Sequence, residues 1–177
     1  MPAIGPAPRW WFWSHDIQPD QIADLAVPGM RLRRLMSYRR GAQADRRFAA
    51  FYYDDDGAVA SSRSWLIDVD AATAAAHGPR AVSVSVDVVP DSGTVRYTLV
   101  LEDQPAPARA FHTDLDAAGV TSLLDGDHAV VDFASYPATY QRDGTRCFAA
   151  IVEPRVGEGS VFFPRCAATR CTPHCAR

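Results

Sequence analysis

Trp65–Leu66–Ile67–Asp68–Val69–Asp70–Ala71–Ala72 and Phe111–His112–Thr113–Asp114–Leu115–Asp116–Ala117–Ala118 are two copies of one pattern. An earlier, looser copy stands at Trp13–Ser14–His15–Asp16–Ile17. Each reads aromatic, two residues, Asp, aliphatic. A second landmark follows each of them: Arg47–Phe48–Ala49–Ala50–Phe51, Arg96–Tyr97–Thr98–Leu99–Val100 and Cys147–Phe148–Ala149–Ala150–Ile151. Recurrence at a period of about 50 residues marks a tandem array, in which each unit buries its apolar face against its neighbours.

The residues between the landmarks predict the elements of one unit. Asp70 and Asp116 are good helix N-caps, and Gln18 followed by Pro19 places Pro at the favoured first helical position. Apolar spacing at Ile22/Leu25 and Val120/Leu123/Leu124 is helical, and Gly29, Gly78 and Gly126 stand where left-handed helix ends are expected. Strict alternation then predicts a strand over 81–88, with counterparts over 31–38 and 129–136. Polar turns such as Pro90–Asp91–Ser92–Gly93 lead to closing strands near 46–53, 95–101 and 146–152. The expected fold is α+β: three repeats over about 10–53, 64–102 and 110–153, each a short aromatic strand, a short helix and an antiparallel hairpin. A closing aromatic strand near 160–164 completes a single repeat domain over 1–164, and 165–177 is a Cys-rich tail.

The 177-residue chain carries a net charge of −3 and has 47% apolar residues, which suits one soluble domain with an ample core. It contains no Lys and no Asn, so all 18 basic residues are Arg, as in a product of a GC-rich genome. Without Lys, a phosphate loop, a Schiff-base enzyme and a Ser–Lys hydrolase are chemically excluded. Neither a signal peptide nor an apolar run of transmembrane length is found. The expectation is a cytoplasmic chain or a fragment parted from its export signal.

The pattern resembles the bacterial tandem repeat domain, which also builds the N-terminal region of secreted polyglycine-hydrolase-type serine hydrolases. In the first unit the matching residues are Trp13, Pro19, Ile22, Arg31, Leu32, Leu35, Tyr38 and Arg47–Phe48–Ala49–Ala50. In the third they are Phe111, Leu115, Leu123, Val130, Phe133, Tyr136 and Phe148–Ala149–Ala150. The second unit departs most, with Asp87 at the Tyr38 position and Tyr97–Thr98–Leu99 for Phe-Ala-Ala. Catalysis in those hydrolases is attributed to a separate β-lactamase-like domain with a Ser-x-x-Lys nucleophile. The resemblance therefore implies a bacterial accessory or binding role, and it carries no catalytic residue over. Related repeat proteins are often secreted.

Candidate chemistry is sparse. Ser14–His15–Asp16 has triad composition, but adjacent residues rarely converge on one point. Seven arginines between Arg31 and Arg47 span two strands and a turn, and read as a solvated surface that Asp54–Asp55–Asp56 partly neutralises. Trp10–Trp11–Phe12–Trp13 is the best ligand-binding candidate, with Trp10, Trp11 and Trp13 as the contact residues. The competing reading sends alternate rings of that run into the core. Cys166, Cys171, His174 and Cys175 have the donor types for zinc, with disulfides or a reactive tail as competitors. Cys147 is expected to pack as a small hydrophobe.

The functional expectation is a non-catalytic module that binds a peptide, a glycan or a protein surface, with neither a nucleic acid nor a membrane as partner and no cofactor. A zinc-dependent protein using the C-terminal tail is the alternative, as is a hydrolase with an unrecognised site.

Overall fold

The computed structural model describes residues 11–25, 30–41, 44–54, 63–103, 109–125, 128–138 and 145–155. Trp10, Gly29, Gly126, the segment near 160–164 and the tail with Cys166, Cys171, His174 and Cys175 lie outside them. Among the described residues, nine strands fall into three antiparallel sheets of three. Unit 1 holds β1 (Trp11–Ile17), β2 (Met30–Arg40) and β3 (Asp45–Asp54). Unit 2 holds β4 (Arg63–Val69), β5 (Ala81–Val88) and β6 (Val95–Glu102), and unit 3 holds β7 (Ala110–Leu115), β8 (His128–Pro137) and β9 (Arg146–Pro154). Each sheet has its third strand in the centre, in the orders β1-β3-β2, β4-β6-β5 and β7-β9-β8.

The expected α+β class is wrong: strands make up 65% of the structure, and the fold is mainly β. The helices are too short to form a layer. Among the described residues, a 3-10 helix, Pro19–Leu25, lies between β1 and β2, unit 2 has α1 (Ala71–Ala76) and a short 3-10 helix, Gly78–Arg80, and unit 3 has α2 (Ala117–Asp125). Caps and helical spacing correctly mark these segments; Asp70 accepts from the Thr73 N–H at 2.8 Å and Asp116 from the Gly119 N–H at 2.7 Å. Yet one or two turns of helix bury little, and most stability comes from packed sheet faces.

Register aligns the three units residue by residue. Ile17, Val69 and Leu115 pair with Phe48, Tyr97 and Phe148, and Trp13, Trp65 and Phe111 pair with Phe51, Val100 and Ile151. Each first strand is irregular just before its aliphatic landmark. There Asp16, Asp68 and Asp114 adopt φ of 63°, 59° and 55°. Asp is among the few side-chain-bearing residues that tolerate left-handed backbone, so the repeated Asp marks a bulge. The second strands bulge too, at Arg33, Val82 and Val131.

Because strand side chains alternate, each sheet has two faces. The leading face carries Trp13 and Phe51 in unit 1, Trp65 and Val100 in unit 2, and Phe111 and Ile151 in unit 3. The trailing face carries Phe48, Ala50 and Tyr52, then Tyr97, Leu99 and Leu101, then Phe148, Ala150 and Val152. Two core clusters show how the units stack. Ile17, Ile22, Leu32, Leu35, Phe48, Ala50 and Tyr52 of unit 1 pack with Val82, Val100, Trp65 and Ile67 of unit 2. Ala74, Val84, Tyr97, Leu99 and Leu101 of unit 2 pack with Phe111, Tyr136, Cys147, Ala149 and Ile151 of unit 3. The leading face of each unit thus covers the trailing face of the one before it.

Polar contacts follow the same order. The Ser37 N–H donates to Ser85 Oγ at 2.9 Å, and the Val84 N–H to Asp132 Oδ2 at 3.0 Å. Arg34 reaches from unit 1 to Asp132 of unit 3 at 3.0 Å, tying β2 to β8. Gly78 ends α1 without the expected left-handed φ, which among the described glycines falls at Gly41 and Gly93. Its reason is close approach: a Cβ there would stand 2.9 Å from Phe111 Cβ and 3.0 Å from the Phe111 backbone N.

The second unit's departure at Thr98 has a measurable cost. Thr98 occupies the position of Ala49 and Ala149, is fully buried, and its hydroxyl has no hydrogen-bond partner. Thr98→Val is expected to raise stability by about 1 kcal/mol in urea denaturation, since a buried hydroxyl without a partner is a net loss. A drop of similar size would show that the hydroxyl is satisfied.

Candidate binding surface

The leading face of unit 1 is the one leading face among the described residues with no preceding unit packed on it. Trp11 and Trp13 project from it in alternate positions of β1 and are 64% and 57% exposed, against 9% for Phe111 at the Trp13 position of unit 3. Phe51 beside them is half-buried, whereas its counterparts Val100 and Ile151 are fully buried. Trp11 lies 5.9 Å from Phe51 between ring centroids, Trp13 lies 6.1 Å from His15, and the Arg31 guanidinium sits 6.0 Å from the Tyr53 ring. Phe12 points to the opposite face and stacks on Tyr52 at 4.6 Å. The aromatic run therefore divides between faces: Trp11 and Trp13 face solvent from the leading face, while Phe12, itself 38% exposed, lies on Tyr52 from the other. Trp10 is outside the described residues.

At the turn end of the same sheet several of the arginines are paired with described carboxylates; the side chains of Asp54, Asp55 and Asp56 lie outside the described residues. Asp16 meets Arg40 at 2.5 Å and Arg47 at 3.4 Å, and Asp45 lies 3.7 Å from Arg47. Arg40 holds the Asp16 carboxyl below its ordinary value, chiefly through that hydrogen bond. Asp87 takes two hydrogen bonds from Arg39, at 3.0 and 2.6 Å, and has Arg46 at 3.6 Å. Arg46 also pairs with Asp68.

This cluster explains why unit 2 carries Asp87 where its neighbours carry Tyr. In unit 1 the Asp16 N–H donates to Tyr38 Oη at 3.0 Å, and in unit 3 the Asp114 N–H donates to Tyr136 Oη at 3.0 Å. Tyr136 in turn donates to Asp114 Oδ1 at 2.9 Å. In unit 2 the carboxylate instead receives Arg39 and Arg46 from unit 1, so the tyrosine lock becomes an ion-pair network across the junction.

In the Ser14–His15–Asp16 run, Asp16 pairs with Arg40 and Arg47 and His15 lies beside Trp13. Among the described residues no group of three or more His, Cys, Asp or Glu side chains is placed to hold a metal, and no helix is long and apolar enough to cross a membrane. Cys147 is a buried free thiol within the core. No protein-family model matches the chain, and no curated protein and no solved structure matches it.

His112, on the trailing face of unit 3, has its pKa lowered from 6.5, first by burial and then by the neighbouring His128. The native state then binds fewer protons than the unfolded chain between 6.5 and that lower value. Stability from His112 is complete above pH 6.5 and is lost as pH falls through the folded value. His112→Gln should flatten the dependence of melting temperature on pH in that window; an unchanged slope would assign it to other groups.

Proposed function

We propose that the protein is a non-catalytic interaction module that engages its partner through the leading face of unit 1. The observation that carries this reading is the exposure of Trp11 and Trp13 on a face whose equivalents are covered in units 2 and 3. An exposed cluster of large rings on a folded domain marks a recognition surface more often than a neutral one. The residue choice supports it as well: Trp11 stands where units 2 and 3 carry Arg63 and Arg109. A protein surface is favoured over a glycan or a free peptide, because Trp65 and Phe111 at the Trp13 position lie against protein sheet faces. An accessory role beside a separate hydrolase, as the repeat resemblance implies, is compatible with this reading.

The test has two arms. The hydrophobic dye ANS should bind the folded chain and lose most of its signal with Trp11→Ser/Trp13→Ser, while the melting temperature stays within a few degrees. Undiminished dye binding by that variant would remove the surface from consideration. In parallel, the chain should hydrolyse neither peptide nor β-lactam substrates, and covalent labelling of a Ser by a fluorophosphonate would contradict the non-catalytic reading.

A further inference from the structure

The bare leading face has its complement at the other end of the same chain. Phe148 is only half-buried on the trailing face of unit 3, whereas Phe48 and Tyr97 at its position are fully buried under the next unit. Val130 is half-buried and Phe133 is 38% exposed where Leu32 and Leu35 are buried, while Ala150 and Val152 on that face are buried within the chain. One end therefore offers a leading face and the other a trailing face, the two halves of a junction that the chain forms twice within itself. We propose that the protein self-associates head to tail, the aromatic leading face of unit 1 in one copy seating on the trailing face of unit 3 in a second copy. This rests on the reading of the aromatic face as an interaction surface and names its partner.

Charge supports the same pairing. At the junction of units 1 and 2, Arg46 from the trailing face meets Asp68 at the bulge of the next leading face. Arg146 holds the Arg46 position in unit 3 and is exposed, bonded only to Ser135 of its own hairpin among the described contacts. Asp16 holds the Asp68 position in unit 1, and although it pairs with Arg40 and Arg47 of its own unit it remains partly exposed. Head-to-tail docking brings Arg146 of one copy to Asp16 of the other. Arg34, opposite Phe51 on the same leading face, already reaches Asp132 and the Phe133 carbonyl of unit 3 within its own copy, so the second copy docks beside this tie, on the β1 side of the face where Trp11 and Trp13 project. Such an interface is heterologous, and the rotation per step decides whether it closes into a ring or extends as a filament.

Sedimentation velocity of the full chain over a concentration series is expected to show species larger than a monomer. Trp13→Asp disables the head and should raise the association midpoint roughly 30-fold or more, as expected for a central Trp. Phe133→Asp, at an exposed trailing-face position, disables the tail, and Arg146→Glu weakens it from a surface residue that burial does not constrain. Either blocked variant alone should be monomeric where the parent associates. An equimolar mixture of Trp13→Asp and Phe133→Asp should form a one-to-one dimer, since the first keeps a tail and the second a head. Association by both Phe133→Asp and Arg146→Glu at the parent's midpoint would overturn the proposal in favour of face-to-face pairing. A parent chain that stays monomeric but still binds ANS overturns self-association and leaves the interaction-surface reading standing. A monomer that binds no dye overturns both.

Discussion

Asp87→Tyr is expected to destabilise the protein by about 3 kcal/mol, although it restores the residue found at that position in units 1 and 3. Asp87 is buried and takes two hydrogen bonds from Arg39, with Arg46 close by. A tyrosine there leaves two guanidinium groups in the junction without their shared anion. Removing one partner of a buried ion pair is costly because the remaining charge stays desolvated. The junction of units 2 and 3 shows the alternative solution. Val88 and Val95 occupy the Arg39 and Arg46 positions and pack in the core that includes Tyr136. The triple change Arg39→Val, Arg46→Val, Asp87→Tyr converts the polar junction into the apolar one. It should return stability to within about 1 kcal/mol of the parent, because well-packed apolar groups replace a buried ion pair at little net cost. Urea denaturation of the parent, Asp87→Tyr, the Arg39→Val/Arg46→Val double variant and the triple variant reads the coupling directly. A triple variant as unstable as Asp87→Tyr would show that the two junctions are not built alike.

The second large effect falls on a fully buried aromatic residue of the middle unit. Tyr97→Ala is expected to cost about 4 kcal/mol, in the range for deleting a fully buried aromatic ring. Tyr97 meets Phe111 edge-on at 5.5 Å and 88°, and its hydroxyl lies 3.5 Å from that of Tyr136. Burial also raises its pKa, so the ring stays neutral over the working pH range. Phe148→Ala removes the equivalent ring from unit 3 and should cost only about 1–2 kcal/mol, since the ring is half-covered in the isolated chain. The difference between the two measures how much a following unit adds. Equal losses would mean that Phe148 is covered as fully as Tyr97.

These expectations rest on packing positions, which is why the repeat was legible in the sequence. Trp13, Trp65 and Phe111, and Phe48, Tyr97 and Phe148, recur because each unit needs an aromatic at the same contact. The helix segments were legible as well, through Asp70, Asp116 and Pro19, but their weight in the fold was not. A cap and two apolar residues in helical spacing mark one or two turns as readily as a long helix. The recurring Asp of the first strand could be seen but not explained, because its cause is a left-handed backbone at a bulge and composition does not show φ. Asp87 stood out as a departure from the pattern, yet its partners Arg39 and Arg46 belong to another unit. No local signal points from one to the other. Exposure of the aromatic run was the least legible property: Trp13 and Trp65 are the same residue at the same position, and the difference between them is whether a neighbouring unit lies on top.

That difference is the most direct test of the stacking on which the binding face depends. Of the four Trp residues, either Trp13 or Trp65 is kept and the others are replaced by Phe, giving two single-Trp proteins. Acrylamide quenching is then measured in dilute solution, where association through the aromatic face is minimal. Trp13 should emit to the red of Trp65 and be quenched several-fold more efficiently, since Trp65 packs against the trailing face of unit 1. Equal quenching of the two, or better protection of Trp13, would contradict an open leading face on unit 1.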